Sequence, residues 1–347
     1  MTSSHFTDIG RALPTTTGPA NDSTQHAAAS GVRRALVAMA LCAPLLSFAF
    51  PTRTVEWVVP YPAGGGSDVV ARTLAEPMGK LLGQTIVITN RPGAGTNLGA
   101  DFVAKAKPDG HTLLTADTAT LAANPFLYSK ISYSAEKDFA SVGLMARFPM
   151  ILVVNPSVPV KTLAEFVAWA KQQPGGANYA TPGAGSPHHL ATELFAQSTG
   201  VKLVHVPYRG AAPALQDVLG GQVPFMFVDT ASGYPSILSG KLRAIGIASP
   251  SRVKNFDTIP TLAEQGMKGF EAYAWQGMVV PTGTPPQDIA VLSRALRTAL
   301  DSTTVKARFQ VLGLESISST PEEMTAYANA ERAKWGKVIR DTGIKLD

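Results

Sequence analysis

Apolar and polar positions along the chain alternate between two periods, short apolar runs and stretches of helical spacing. Val55–Val59 is an apolar run that reads as a strand, and the stretch after it, residues 60–68, is too rich in proline and glycine to be regular structure. Over 68–82 the apolar residues Val69, Leu74, Met78, Leu81 and Leu82 recur at helical spacing. Strands are predicted over 86–88 and 112–115, with a helical stretch over 102–106 between them. A strong strand over 150–154 leads to a helix over 162–172. Further strands are predicted at 178–180, 202–206, 223–228, 241–248 and 277–280, and helices at 187–198, 212–219, 286–302 and Pro321–Thr342. Strands alternating with helices predict an α/β architecture.

The 347 residues are too many for one ordinary core and suit two lobes. Apolar residues make up 45% and charged residues 16%, a globular composition that excludes a disordered or membrane-embedded chain. The net charge of +5 is not concentrated in any run, so no nucleic-acid partner is expected. Arg33-Arg34, the apolar stretch 35–46 and Ser47-Phe48-Ala49 follow the order of a secretory signal peptide, cleaved after Ala49. The apolar stretch is shorter than the roughly 20 residues a bilayer span takes. Cleavage removes Cys42, the only cysteine; Leu41 stands where a lipid-anchored cysteine needs a small residue. The exported form is therefore expected to be soluble, without disulfide or thiol chemistry.

One theme occurs twice. A strand feeds a glycine-rich turn and the turn feeds a helix, at Gly64–Asp68 and again at Gly183–His188. Glycine lets backbone approach a ligand closely, and the first turn of a helix offers unpaired N–H groups and a dipole that favours an anion. Ser67 and Ser186 stand where an N-cap is expected, and Pro187 suits the first helical position. Neither turn contains a Lys or Arg. The pair predicts a carboxylate held by backbone N–H groups and hydroxyls.

Competing chemistry finds little support. Gly93 to Gly99 imitates a dinucleotide fingerprint with the wrong spacing, and neither turn has the lysine of a P-loop. No Gly-x-Ser-x-Gly elbow exists. His188 and His189 are adjacent, so on a helix they diverge by about 100° and cannot share a metal. His188 is expected to face the cleft or cap its helix, and His189 to be packed or solvated. No cofactor, metal or catalytic residue is expected.

Val59-Pro60-Tyr61-Pro62-Ala63-Gly64-Gly65-Gly66-Ser67-Asp68 resembles the opening motif of the tripartite tricarboxylate transporter receptors, the Bug family of periplasmic solute-binding proteins. Asn90-Arg91-Pro92-Gly93-Ala94-Gly95, Thr181-Pro182-Gly183-Ala184-Gly185-Ser186-Pro187-His188-His189, Val206-Pro207-Tyr208-Arg209-Gly210 and Pro281-Thr282-Gly283-Thr284-Pro285 are similar to further markers of that family, in the same order. Thr89 and Thr96 depart from it, standing where the family often has an acidic residue and a glycine. The resemblance implies a type II periplasmic binding protein fold: two lobes with mixed sheets and a ligand cleft between them. Lobe one would comprise 50–151 plus 275–347, and lobe two 152–274. The implied ligand contacts are Tyr61, Ala63, Gly64, Gly65, Gly66, Ser67 and Asp68 in one loop, and Thr181, Gly183, Ala184, Gly185, Ser186 and His188 in the other. Thr118, Tyr208 and Asp229 are added from strand ends on the same side. Asp68 cannot pair with an ionised carboxylate and is expected to cap its helix, orient a water or receive an amine. Arg91 and Arg209 read either as ligand contacts or as ion-pair and turn residues.

The function implied is a monomeric, periplasmic receptor that captures a small organic acid and delivers it to the membrane permease subunits of a transporter. The alternatives are an exported hydrolase-like enzyme and a binding protein that reports to a sensor.

Overall fold

The computed structural model of the protein describes residues 50–346; the expected leader, with Ala49 at its cleavage point and Cys42, lies outside the described residues. Three parallel strands come first: β1 (Val55–Val59), β2 (Ile86–Asn90) and β3 (Thr112–Asp117), in the order β2-β1-β3. Helix α1 (Gly66–Leu82) and helix α2 (Asn97–Ala104) connect them. α1 starts two residues before its apolar pattern does and stops at Gly83, whose φ of 66° is the left-handed conformation that glycine adopts without steric cost. A π-helical turn (Thr118–Ala123) and the short α3 (Asn124–Leu127) follow β3.

β4 (Phe139–Val154) spans 16 residues and belongs to two sheets. From Phe139 to Pro149 it runs antiparallel to β9 (Tyr273–Pro281), which also pairs with β3. From Met150 onward its partners are β7 (Phe225–Asp229) and β8 (Arg243–Ile247). Pro149 stands at the exchange; it has no N–H to contribute to a ladder, so the change of partner breaks no bond there. The second sheet continues from β7 to β5 (Ala177–Thr181) and β6 (Leu203–Pro207), all three parallel. Its helices are α4 (Leu163–Lys171), α5 (Pro187–Thr199), α6 (Ala211–Leu219) and α7 (Thr230–Leu238). The chain ends with α8 (Pro286–Asp301), α9 (Thr303–Val311), the two-residue β10 (Glu315–Ser316) on the edge of β4, and α10 (Pro321–Thr342).

Strand alternation decides which residue enters which core. Val55, Trp57 and Val59 point into the layer with Leu74 and Met78 of α1 and Leu292 and Leu296 of α8, whereas Val58 packs on the other face with Leu114 and Trp335. The same split recurs on the second half of β4: Ile151 and Val153 pack with Val218 and Phe256, and Leu152 and Val154 with Phe225 and Phe227. Both faces of each sheet are thus covered, which leaves the strand ends for function.

Candidate ligand-binding site

Two pairs of parallel strands, β1 with β3 and β5 with β7, end in the same kind of junction. β1 and β5 run into the two glycine loops, while β3 and β7 end on Asp117 and Asp229, each capping the helical turn that follows it. Open α/β sheets take their ligands at such carboxyl ends of strands, where helix amino ends converge.

In the first loop the expected cap is corrected. Gly65, at φ −77° and ψ 169°, is the residue before α1, and no side chain caps the helix. Ser67 lies inside the first turn, and its Oγ accepts a hydrogen bond from Gln276 Nε2 at 2.6 Å. The amino end of α1 therefore has no side-chain acceptor, and Gly64, Gly65 and Gly66 are exposed there beside Ala63. Asp68 is buried and does not cap the helix. Its carboxylate accepts from Gly64 N–H at 2.8 Å, Arg72 Nε at 2.9 Å and Asn90 Nδ2 at 2.9 Å. Burial pushes its pKa up, but the bonds from Arg72, Gly64 and Asn90 outweigh that and hold it below the usual carboxylate range. Asp68 thus stays ionised, with Arg72 beside it, and fastens the loop. Asn90 also donates to Tyr61 O at 3.0 Å, tying down the loop's start.

Tyr61 donates its hydroxyl hydrogen to Asp117 Oδ2. Asp117 Oδ1 accepts from both Thr120 N and Thr120 Oγ1, each at 2.9 Å. Burial raises the pKa of Asp117, and these donors oppose the shift. Thr118 is buried, and its Oγ1 accepts from Trp275 N at 3.2 Å, so it joins the π-helical turn to β9.

The second loop satisfies itself more fully. Ser186 caps α5, accepting from His189 N at 3.3 Å, and Pro187 follows at the first helical position. Gly185 N donates to His189 Nδ1 at 3.0 Å, and Gly183 N to Thr181 Oγ1 at 3.2 Å. Thr181 Oγ1 also meets His205 Nε2 at 2.6 Å. Gly185 has φ 74°, which favours glycine, and a Cβ there would lie 2.6 Å from Leu127 Cδ1, so the leucine would have to shift. Ala184 is exposed at the loop's tip. His188 Nε2 lies 3.2 Å from Asp229 Oδ2, and its buried Nδ1 has no partner. Burial raises the Asp229 pKa, but His188 and Ser232 outweigh it and the carboxyl is held below its ordinary range. His189 is packed: it stacks on His205 with ring centres 3.9 Å apart and planes at 9°. Burial lowers these two histidines to about 3 and about 4.

Tyr61, Ser67, Asp68 and Thr118 therefore share one bonded region with Asp117 and Gln276. Thr181, Gly183, Ser186, His188 and Asp229 lie around the second loop. Tyr208 donates to Asp217 at 2.6 Å, so its hydroxyl is engaged by α6. Arg91 packs its guanidinium 3.6 Å above the Phe102 ring and lies 3.7 Å from Glu56; Arg209 is exposed. Sequence reasoning missed Asp117 and Gln276. The tripeptide Asp-Thr-Ala occurs at Asp117 and again at Asp229, a second doubling that marks both caps. Gln276 is the polar residue inside the otherwise apolar Trp275-to-Val280 run. A pocket of about 540 Å³ beside α10 is lined by Leu121, Phe126, Phe139 and Arg332, and none of the candidate residues borders it. Among the described residues no cluster of three acidic, histidine or cysteine side chains is placed to hold a metal.

Two mixed sheets joined through β4, with glycine loops at their strand ends, define the class: a two-lobe periplasmic binding protein fold of type II. Residues 70–344 match the family described as tripartite tricarboxylate transporter family receptor. The chain belongs to that family. It is 37% identical to Protein BugT of Bordetella pertussis over 307 residues, 88% of this chain and 94% of that one. Rpa4515 of R. palustris, solved with adipate, is 34% identical with a TM-score of 0.78, over 85% of this chain and 99% of that one. MatC (Rpa3494) from Rhodopseudomonas palustris, solved with bound malate, is 36% identical with a TM-score of 0.74, over 84% of this chain and 100% of that one.

Proposed function

We propose that the chain is a periplasmic receptor that captures a small organic acid between its lobes and hands it, unchanged, to the permease subunits of a tripartite tricarboxylate-type transporter. The observation that carries the reading is the uncapped amino end of α1 at an exposed triple-glycine loop. N–H groups with no side-chain acceptor are an anion site in waiting. The change of β4's partners at Pro149 and Met150 supports lobes of 50–151 plus 275–347 and 152–274. Each lobe would contribute one loop, and the ligand contacts would come from Tyr61 to Asp68 and Thr181 to His188. The second loop, its donors largely engaged, would shape and close the site more than bind charge. Adipate and malate in the two solved relatives favour a dicarboxylate of about four to six carbons. Export would follow cleavage after Ala49, and the receptor would act as a monomer without cofactor or metal.

The test is a thermal-shift screen over mono-, di- and tricarboxylic acids, followed by mass spectrometry of the ligand after prolonged incubation. A receptor raises its melting temperature with one or a few acids and returns them intact. Conversion of the bound acid would establish the enzyme reading instead.

A further inference from the structure

The turn between β2 and α2 holds Ala94, Gly95 and Thr96 at φ 47°, 59° and 83° in succession. Thr96 is 3% exposed and β-branched, and positive φ is sterically disfavoured for such a residue. Strain of this kind persists where surrounding contacts over-determine it, and it concentrates at functional sites. Here the turn is held by the threonine hydroxyl and by the Asn124 amide, which donates to Gly95 O at 2.7 Å. Thr96 Oγ1 lies 3.0 Å from Thr120 Oγ1 and 3.2 Å from Asn124 Nδ2. The two Asn124 amide hydrogens have closer acceptors in Gly95 O and Asn97 Oδ1, each at 2.7 Å. Thr120 has a single hydroxyl hydrogen, and the carboxylate of Asp117, 2.9 Å away, has none to offer it. Thr96 therefore donates to Thr120, which donates to Asp117. The bonds run in one direction and reinforce one another. They end on the carboxylate whose other oxygen takes the Tyr61 hydroxyl.

We propose that Thr96 is a positioning residue of the ligand site: its hydroxyl fixes Thr120 and Asp117, and through them the Tyr61 side chain at the start of the first glycine loop. It touches no ligand itself. The inference rests on the reading of that loop as the ligand site, whereas the Asp117–Tyr61 bond can be followed without any ligand.

The test uses three variants of the exported chain. T96V keeps the branch and loses the hydroxyl, T96G loses both and suits the backbone, and T96S keeps the hydroxyl and sheds the branch. Tyrosines are labelled with ¹³C at Cζ, and the Tyr61 line is assigned with Y61F. In equal H₂O and D₂O a slowly exchanging hydroxyl splits that line in two. Two lines are expected in the wild type and T96S, and one averaged line in T96V and T96G. T96G is expected to melt no lower than T96V. Affinity for malate and adipate should fall by about fivefold or more in T96V and T96G and hold in T96S. Two lines retained in T96V and T96G would overturn the proposal, as would affinity losses that merely follow melting temperature across the three variants. Should no acid of the screen bind the wild type, the reading of the site falls, and the line splitting decides the role of Thr96.

Discussion

At the scale of single residues, Gly65 offers the cleanest experiment. Its φ of −77° suits any residue, and the nearest atom to an added Cβ is Pro62 O at 3.5 Å. Gly65→Val should leave the melting temperature within about 2 °C of wild type, since surface changes of this kind are small, yet abolish acid binding by occupying the space a carboxylate needs. Calorimetry beside a thermal melt separates the two effects. Gly183 is a poorer test, because φ 148° strains any replacement. Ser186→Ala should act the other way. Its hydroxyl caps α5, so the change should cost about 1 kcal/mol of stability in urea titration and alter affinity little. The cap on α5 was legible because serine followed by proline fixes the frame. At α1 the run Gly64-Gly65-Gly66-Ser67 allows several frames, and serine is the better cap by preference. The frame is chosen instead by Asp68, which takes the Gly64 N–H and winds the helix from Gly66. That is a contact four residues back, invisible to preference at one position.

At the scale of elements, most strands and helices follow their periodicity, and the exceptions have physical reasons. The first part of β4 was hidden because Gly143 and Pro149 interrupt it, yet both sit where its pairing shifts or changes partner. α7 was missed because glycine and proline punctuate it; it is initiated by its Asp229 cap. The π-helical turn after β3 has the same origin in Asp117. The second glycine loop is also tied to a titratable pair. His189 accepts from Gly185 N–H, and His205 bonds to Thr181. Their depressed values of about 3 and about 4 mean that the unfolded chain, with ordinary histidine values near 6.5, binds more protons in acid. Their contribution is therefore complete above about pH 6.5 and is lost as pH falls from there toward 4. Urea titrations at pH 7.5, 6 and 5 should show falling stability, and H205Q should flatten that slope.

At the scale of the whole molecule, the order of five motifs indicated a two-lobe receptor, whereas periodicity alone gave only alternating α/β structure. β4 and β9 run side by side from Phe139↔Pro281 to Pro149↔Tyr273, and β4 then takes up β7 and β8, so the hinge is expected where that ladder ends. Ligand should draw the lobes together, and small-angle scattering should record a smaller radius of gyration with a saturating acid; an unchanged radius would place the whole site in one lobe. Hydrogen bonds to an ionised group contribute about 1.5–3 kcal/mol each, so four or five from the α1 amino end and nearby hydroxyls suffice for micromolar affinity, about 8 kcal/mol, without an arginine clamp. The most direct measurement is calorimetry of the exported chain with its best-binding dicarboxylate and with the diamide of that acid. The predicted result is a loss of about 100-fold or more for the neutral diamide, corresponding to at least two charge-assisted bonds. Equal affinity for the acid and its diamide would contradict capture of an anion at the amino end of α1.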